Sequence, residues 1–561
     1  YATRSFNTVY ASFDIWKGIK FASTFSYDFV MNKSRAWKDP RTSDGDDDNG
    51  RFSKDYNDIT NMTWSNILTY QTKIKKKHNL DLLVGYEINS KESDGLGTTI
   101  SNFARWDKPE VNNGVVYQSM GGSNSTTRIV SYITRANYDY DNKYYLGASW
   151  RTDGSSRLAR ENRWGNFWSL SGAWRVSSES FMKPLQNWLS DLKLRVSYGV
   201  NGTLPSSYYG YMGLSSLTSN YNDNPGITQS QLENKELTWE TNYNFNSGID
   251  LGFFDNRLNV TFEYYVRTTK NLLYSRPLSL ATGFSSYLAN IGKLQNKGYE
   301  LEIRSTNIET KDFRWSTSLN LGHNANKILK LDGDLKQVTS GTSIHKVGLP
   351  YSTYYMIEFA GIDPADGEPM FYKNTTDENG NLNKETTKDP RSAEKVILQC
   401  ADPTITGGLG NSISYKWFDL NFNVNFSFGA WNYDGSASKL EHGGDGTLNI
   451  PIYYRKRWQK EGDETSIERF VVGRSISMTD YATTRRLYSG DYVRLKNLTF
   501  GFTLPKTWTR KVGIDNIRLY ASGNNLLTWA AYDYIDPESG SSPSWDTPPM
   551  RTYTFGLEVK F

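Results

Sequence analysis

The sequence predicts an all-β fold, an antiparallel β-barrel that spans a membrane. Two observations support this fold class. Apolar and polar residues alternate strictly in many segments, and short and long connections alternate between these segments. Residues 418–428 show the alternation most clearly, because every second position is apolar and the positions between them are polar. Residues 553–561 repeat the pattern without exception. A strand of this kind has one apolar and one polar face.

Composition narrows the possible functions. The chain has 561 residues with 38 Tyr, 26 Phe and 17 Trp, which excludes a largely disordered protein. Its net charge of +4 does not indicate a nucleic-acid partner. The single cysteine, Cys400, excludes an internal disulfide, and four scattered histidines exclude a structural zinc cluster. A mean hydropathy of −0.64 is compatible with a membrane barrel, because only one face of each strand is apolar.

Seventeen segments carry the strand pattern. Connections after odd-numbered segments are mostly tight turns, whereas those after even-numbered segments are mostly long and polar. Outer-membrane barrels have this arrangement, with short periplasmic turns and long extracellular loops. The predicted strands cover approximately 6–15, 18–32, 59–74, 77–91, 126–140, 143–152, 165–176, 190–200, 238–254, 256–268, 297–308, 312–324, 406–416, 418–428, 491–505, 514–528 and 549–561.

The strand count also leads to expectations about the two ends of the chain. If Phe561 ends a strand at the periplasmic side, the first of seventeen alternating strands begins at the outer side. A single-chain bacterial barrel normally has an even number of strands with both ends inside. Further strands are therefore expected to precede this barrel portion. Phe561, an aromatic residue that closes the last alternating strand, is predicted to act as the barrel-assembly signal.

Phrases from residue 234 onward resemble the SusC/RagA family of TonB-dependent outer-membrane transporters. The resemblance begins with NKELTWE at 234–240 and continues in the order and spacing typical of the family. Residues 1–230 fit the barrel pattern but contain fewer of these phrases. The other phrases are GIDLGFFDNRL (248–258), YYVRTTKNLL (264–273), NIG (290–292), NKGYE (296–300), GIDP (361–364), DP with TGG (402–403 and 406–408), YKWFDL (415–420), YVRLKNLT (492–499), SGNNLL (522–527) and DPE (536–538).

The resemblance implies a barrel of 22 strands that is filled by an N-terminal plug. It also implies a SusD-like surface lipoprotein that closes over the extracellular mouth, and import of oligosaccharides or oligopeptides driven through the TonB complex. Residues 1–561 are therefore interpreted as the partial, C-terminal part of the barrel, with about 17 of the expected 22 strands. The plug and the TonB-contacting segment have no counterpart in this chain.

No catalytic constellation is found, so the chain is not predicted to be an enzyme. The acidic run at 44–50 suggests calcium ligands, but position six is Asn49 rather than Gly and position twelve is Asp55 rather than Glu. A solvated acidic loop is therefore favoured, and no cofactor is predicted. The four histidines are also expected to be solvated: His78, His323, His345 and His442.

The two longest connections, 325–405 and 429–490, are predicted to be extracellular loops that hold substrate. Aromatic rings in such loops can stack on sugars or line a peptide groove, and Trp431 is the first choice because it lies just beyond a strand. Girdle positions, loop packing and contact with a lid protein are the alternatives. The predicted substrate-binding residues are Trp431, Tyr433, Tyr354 and Tyr355, and further loop aromatics are Tyr351, Tyr453, Tyr454 and Trp458.

Two further interpretations remain open. Arg455–Arg457 and Arg485–Arg486 give the second loop a basic stretch, which is expected to be solvated or to meet an anionic substrate or lipopolysaccharide. A barrel of this family could also serve as a structural or assembly scaffold without transport. An open porin is disfavoured, because large barrels normally need a plug to keep the membrane sealed.

Overall fold

The computed structural model describes residues 1–561 except 218, 223, 332, 334, 378–379, 445–448, 474–480, 533 and 540–546. Among the described residues, seventeen strands belong to one antiparallel sheet, as the sequence predicts. In chain order they are β1 (Ala2–Trp16), β2 (Ile19–Lys38), β3 (Arg51–Ile74), β4 (His78–Phe103), β5 (Gly114–Tyr140), β6 (Tyr144–Ser155), β7 (Trp164–Arg175), β8 (Leu189–Thr203), β9 (Glu240–Phe253), β10 (Leu258–Lys270), β11 (Lys293–Glu309), β12 (Phe313–Lys330), β13 (Ile405–Tyr415), β14 (Phe418–Phe428), β15 (Tyr492–Thr503), β16 (Asn516–Ala530) and β17 (Thr552–Lys560).

The remaining elements are short and lie in the connections. Within the described ranges, no helix is long and apolar enough to cross a membrane. The α-helices are Gly435–Leu440 and Lys506–Thr509, and the 3₁₀ turns are Val111–Asn113, Val176–Ser178, Ser180–Leu185, Leu280–Thr282, Pro390–Ser392, Ile452–Lys456, Thr484–Arg486, Arg510–Val512 and Pro537–Ser539. The short strands are Leu214–Ser216, Thr228–Gln231, Leu273–Pro277, Ser286–Asn290, Gln337–Ser340, Ser343–Lys346, Thr353–Ile357, Phe359–Ile362, Pro369–Tyr372, Thr386–Thr387, Lys395–Cys400, Trp431–Tyr433 and Leu487–Ser489.

The chain forms two compact units. The first contains residues 1–175, 195–245 and 268–292, and in it β1 to β7 pair consecutively in antiparallel register. The second contains residues 176–194, 246–267 and 293–561, and in it β11 to β17 pair in the same way. Because each strand pairs with its neighbours in sequence, the sheet is a meander of hairpins.

The tight turns explain how consecutive strands reverse direction. Residues 141–143 connect β5 to β6, and the two central residues of the turn, Asp141 and Asn142, have φ angles of 56° and 55°. Asp and Asn tolerate positive φ better than most residues. Connections after even-numbered strands are mostly longer, and 331–404 and 429–491 are the longest. The predicted alternation of short and long connections is therefore present.

Two of the predicted long connections are much shorter in the structure, because the strands on both sides continue into them. β2 and β3 continue to Lys38 and from Arg51, so the predicted connection 33–58 is reduced to residues 39–50. β4 and β5 likewise reduce the predicted connection 92–125 to residues 104–113. The extensions of β2 and β3 lose the regular alternation: Ser34 donates a hydrogen bond of 2.9 Å to Asp55, whereas Trp37 lies opposite Phe52, which is buried together with Ile100 and Phe103. Apolar alternation reports where a strand faces lipid, whereas backbone pairing continues beyond the lipid, so the pattern underestimated these strands.

In the first unit, the two faces of the sheet have opposite chemistry. Trp150 of β6 lies opposite Trp168 of β7, and the two side chains are 43% and 40% exposed. The adjacent pair on the other face is Ser149 and Ser169, whose hydroxyls are 2.6 Å apart. An exposed row of aromatic side chains on one face is the surface that a bilayer covers in a membrane barrel.

The second unit repeats this division. Phe418 lies opposite Phe502 on the apolar face, with ring centroids 4.9 Å apart. On the polar face, Arg518 binds Asp419 with an Nη2 to Oδ2 distance of 2.7 Å. This ion pair passes directly over Gly501, where a Cβ atom would lie 2.7 Å from Arg518 Nη2. Only glycine leaves room for the pair at this position of the sheet.

Two of the phrases that carry the family resemblance bind each other in the first unit. Asn290 of the NIG phrase accepts a hydrogen bond of 2.7 Å from the backbone of Thr238 and donates one of 2.9 Å to the Thr238 carbonyl. Trp239 is 7% exposed, and its indole donates a hydrogen bond of 3.0 Å to the Arg163 carbonyl. Leu237 is fully buried in the same apolar cluster. The NKELTWE phrase thus attaches its connection to residues 163 and 290 of the first unit.

The face assignment predicts different effects for two adjacent substitutions in β14. We expect Phe422→Arg to destabilise the folded barrel by on the order of 2–4 kcal/mol, because the charge enters the lipid-covered face near the middle of the strand. Asn423→Arg is the matched control and should cost far less, since Asn423 lies on the polar face and hydrogen-bonds Asn497 at 3.0 Å. Equilibrium unfolding of the full-length protein in lipid vesicles measures both values, and equal losses would contradict the assignment.

Candidate functional site

The longest connections of the second unit fold into small sheets. We call residues 331–404, 429–491 and 531–551, which follow β12, β14 and β16, the loop layer. Its first part contains a set of four paired strands between Gln337 and Cys400, and a three-stranded sheet formed by Phe359–Ile362, Pro369–Tyr372 and Thr386–Thr387. In its second part, Trp431–Tyr433 pairs with Leu487–Ser489.

An apolar cluster joins the first two parts of the loop layer. Tyr354 and Met356 of the first part pack with Tyr433 of the second, and all three are buried. The backbone of Phe359 donates a hydrogen bond of 3.0 Å to the hydroxyl of Thr484. Ordered sheets that share a core make this layer a folded element that can position side chains for binding.

The structure divides the four predicted substrate-binding residues into two groups. Tyr354 and Tyr433 are 3% and 9% exposed, so their rings have no free face and serve to pack the loop layer. Burial raises the pKa of the Tyr433 phenol, as expected for a ring inside this cluster. Trp431 and Tyr355 are half-buried and keep part of their surface accessible. Their role in binding stays a prediction.

Other predicted loop aromatics also have packing roles. Tyr454 is 1% exposed, and its hydroxyl donates a hydrogen bond of 3.0 Å to Glu468. The Trp458 indole donates one of 2.9 Å to the Pro364 carbonyl. Its ring lies against Gly367, where φ is +73° and a Cβ atom would be 2.5 Å from the ring. Trp458 thereby fixes the turn that follows the GIDP phrase.

The basic pair at 485–486 is buried, which contradicts the expectation that it is solvated. The side chains of Arg485 and Arg486 are 11% and 4% exposed. Arg486 binds Glu441 at 2.9 Å, and Arg485 binds the fully buried Glu468 at 2.5 Å. Buried charges require partners of this kind, because an unpaired charge is costly away from water. These arginines hold the second part of the loop layer together and are not available to an anionic substrate.

Another buried arginine, Arg494, connects the sheet to the third part of the loop layer. Arg494 of β15 is 2% exposed and binds Asp536 at 2.6 Å and Glu538 at 2.7 Å. Its Nε donates a hydrogen bond of 3.0 Å to the Thr528 hydroxyl. The DPE phrase and the YVRLKNLT phrase are therefore two halves of one contact. We call this group of side chains the Arg494 clamp.

Sequence reasoning missed a group of tyrosines beside these ion pairs. The rings of Tyr488 and Tyr532 stack with centroids 3.8 Å apart, and Tyr534 meets Tyr532 at 5.3 Å. The Tyr532 hydroxyl donates a hydrogen bond of 3.1 Å to Asp434, whereas Tyr534 is 70% exposed. The alternating Tyr532 and Tyr534 next to the DPE phrase were the available signal. They extend the candidate binding surface to the third part of the loop layer.

The polar face of the second unit offers a second candidate surface. A cavity of about 700 Å³ lies over β10 to β14. Carboxylate and amide groups dominate its lining, including Glu263, Glu300, Glu302, Asn320 and Asn425. Such groups hydrogen-bond hydroxyl and amide groups of a polar ligand.

The remaining sequence predictions have mixed outcomes. His345 and His442 are 6% and 2% exposed, so the expectation of four solvated histidines is wrong for these two. The His345 ring stacks on Tyr351 with centroids 4.2 Å apart, and burial lowers its pKa. In the acidic loop at 44–50, Asp44 accepts a hydrogen bond from Thr42 at 2.7 Å. Phe561 is 94% exposed, and its role in assembly stays a prediction.

A sheet with one exposed apolar face and one amide-rich polar face, joined to a folded loop layer, defines an outer-membrane β-barrel protein. Within this class, the chain belongs to the family described as "TonB dependent receptor-like, beta-barrel", whose model matches residues 1–526. It is thus the barrel portion of a TonB-dependent transporter of the SusC/RagA type, as the resemblance implied. This family consists of receptors and transporters, not enzymes.

Three known proteins illustrate the relationship. TonB-dependent receptor P3 of Formosa agariphila is 32% identical over 98% of this chain and 57% of the relative. TonB-dependent receptor SusC of Bacteroides thetaiotaomicron is 30% identical over 77% of this chain and 44% of the relative. The structure of the RagAB peptide transporter matches with a TM-score of 0.88 and 27% identity, covering 100% of this chain and 62% of that chain. The chain therefore spans between 44% and 62% of the length of these relatives.

The buried ion pairs predict a specific weakness of the loop layer. We expect Glu468→Gln to lower the free energy of opening residues 452–487 by about 3 kcal/mol, because Arg485 would remain buried without its closest opposite charge. Glu461→Gln is the matched control, since Glu461 lies exposed in the same segment. Limited proteolysis of the full-length protein, with cleavage sites mapped by mass spectrometry, compares the two variants. Equal cleavage rates would contradict a stabilising role for this pair.

Proposed function

We propose that the protein containing this chain imports nutrient oligomers, either oligosaccharides or oligopeptides, across the outer membrane with energy delivered through TonB. The observation that carries the proposal is the match of almost the whole chain to the TonB-dependent receptor barrel family. The similarity to the RagAB peptide transporter supports an oligomeric substrate, and it favours peptides among the two classes.

The loop layer is proposed to be extracellular and to hold the substrate. Its parts follow even-numbered strands, which in barrels of this class end at the outer surface. An ordered loop of this length in a barrel usually has a binding role. Trp431 and Tyr355 are the proposed stacking residues, and Tyr534 presents a further exposed ring.

A SusD-like surface lipoprotein is the proposed partner of the loop layer. The resemblance to the SusC/RagA family implies such a lid. Exposed aromatic side chains such as Tyr534 suit a contact surface of this kind, because aromatic residues are enriched where protein partners meet. Ligand enclosed between a lid and the loop layer would be shielded from water, which strengthens polar contacts.

Uptake by living cells tests the function. Deleting the gene should abolish uptake of fluorescently labelled oligomers of one class, glycan or peptide, and the full-length gene should restore it. The same cells should lose uptake when TonB is absent, with the barrel still present in the outer membrane. Unimpaired uptake of both oligomer classes by the deletion strain, combined with a defect in assembly of neighbouring proteins, would contradict import and favour the scaffold.

The substrate site generates a residue-level prediction. We expect Trp431→Ala and Tyr355→Ala each to weaken binding of the imported oligomer by roughly 1–3 kcal/mol, as expected for loss of a partly buried aromatic anchor. Tyr221→Ala is a control, because Tyr221 is 85% exposed in a different connection. Isothermal titration with the full-length protein measures the affinities. Unchanged binding in the double variant would contradict a substrate site at these loop-layer residues and would favour the cavity on the polar face.

A further inference from the structure

Four lysines share one face at one end of the β11–β12 hairpin. Opposite residues of an antiparallel pair lie on the same face, and Lys293 is opposite Lys330 while Gln295 is opposite Lys327. Lys297 lies two residues beyond Gln295 and is therefore on this face as well. An irregularity in β12 between Ile328 and Lys330 keeps Lys330 in line with Lys327. We call Lys293, Lys297, Lys327 and Lys330 the lysine patch.

The lysine patch continues the apolar face of the sheet. Two residues from Lys297, the ring of Tyr299 stacks on His323 with centroids 4.8 Å apart and an interplanar angle of 30°. Tyr299 also stacks with Phe262 at 6.5 Å, and these two side chains are 49% and 42% exposed. Leu301 and Leu321 follow on the same face. Two residues of a strand span about 7 Å, so the patch begins at Lys297, just beyond an exposed aromatic row, and extends from there to the end of the hairpin.

The four lysines of the patch have no direct charge partner within the part of the chain that the structure describes. None of the four ammonium groups forms an ion pair or a hydrogen bond there. The neighbouring Glu300 and Glu302 lie on the opposite face, because their positions alternate with Lys297 and Tyr299. Lysines directly opposite each other repel, so Lys293 and Lys330 weaken the strand pair unless an anion lies between them.

We propose that the lysine patch binds the phosphate groups of an outer-leaflet lipid. An apolar face, an aromatic row and then uncompensated lysines follow in the order in which a barrel meets acyl chains, the interface and anionic headgroups. Each ammonium group is a compact charge with three donors, which suits phosphate oxygens. A soluble anion would gain nothing from the adjoining aromatic row, and this favours a phosphate attached to a lipid.

Lipid retention by the full-length protein tests the proposal. The protein is placed in nanodiscs that contain lipid A with two phosphates, and bound lipid A is counted by native mass spectrometry. We expect the K297Q/K327Q variant to bind lipid A at least tenfold more weakly than the unchanged protein. K311Q is the matched control, because Lys311 lies exposed in the turn at the other end of the same hairpin. Equal retention by K297Q/K327Q and the unchanged protein would overturn the proposal.

Two further arms identify the chemical group and its source. Lipid A without phosphates should bind the unchanged protein as weakly as the K297Q/K327Q variant binds the phosphorylated form, and equal binding of both lipids would overturn the role of phosphate. Millimolar inorganic phosphate should not displace the lipid. Complete displacement by inorganic phosphate would show a site for a soluble anion and overturn the assignment to a lipid. A heat-modifiability gel confirms that each variant keeps the folded barrel.

Discussion

Inside a bilayer the backbone must satisfy its own hydrogen bonds, and most features of this sheet follow from that requirement. Every strand in β1 to β7 and in β11 to β17 pairs with its sequence neighbours, so the groups are satisfied locally. Consecutive pairing demands tight reversals, and the left-handed Asp141 and Asn142 provide one of them. Once the backbone hydrogen bonds are formed, the remaining requirement is that side chains are apolar on the face toward lipid and polar on the other face. The strict two-residue period is the result.

The same constraint explains what the sequence could predict. All seventeen sheet strands were predictable, because lipid on one face imposes a period that is visible without a structure. The extensions of β2 and β3 toward residues 38 and 51 were not, since one face mixes polar and apolar residues there and the two-residue period is lost although pairing continues. Tyr354 and Tyr433 illustrate a third case. The sequence predicts that both residues lie in loops. Their burial could not be predicted, because it depends on contacts between segments far apart in sequence.

The loop layer obeys different rules from the sheet. It has apolar clusters and buried ion pairs, as a soluble domain does. The partners Glu441, Glu468 and Arg485 come from three turns of one connection, and nothing in their spacing indicates that they meet. Paired charges of this kind add geometric definition more reliably than net stability. These ion pairs therefore give the described part of the loop layer a defined shape.

The Arg494 clamp also bears on the order in which this molecule can fold. Arg494 is separated from Asp536 and Glu538 by 42 and 44 residues, and the whole of β16 lies between them. Closing a loop of this size has an entropic cost. Most of that cost is incurred when β15 pairs with β16, because the hairpin already brings the two segments together. Before the hairpin forms, burial of the Arg494 guanidinium is unfavourable, because its carboxylate partners are not yet in place. The ion pairs of the Arg494 clamp are therefore expected to form late in folding, after β15 and β16 have paired correctly.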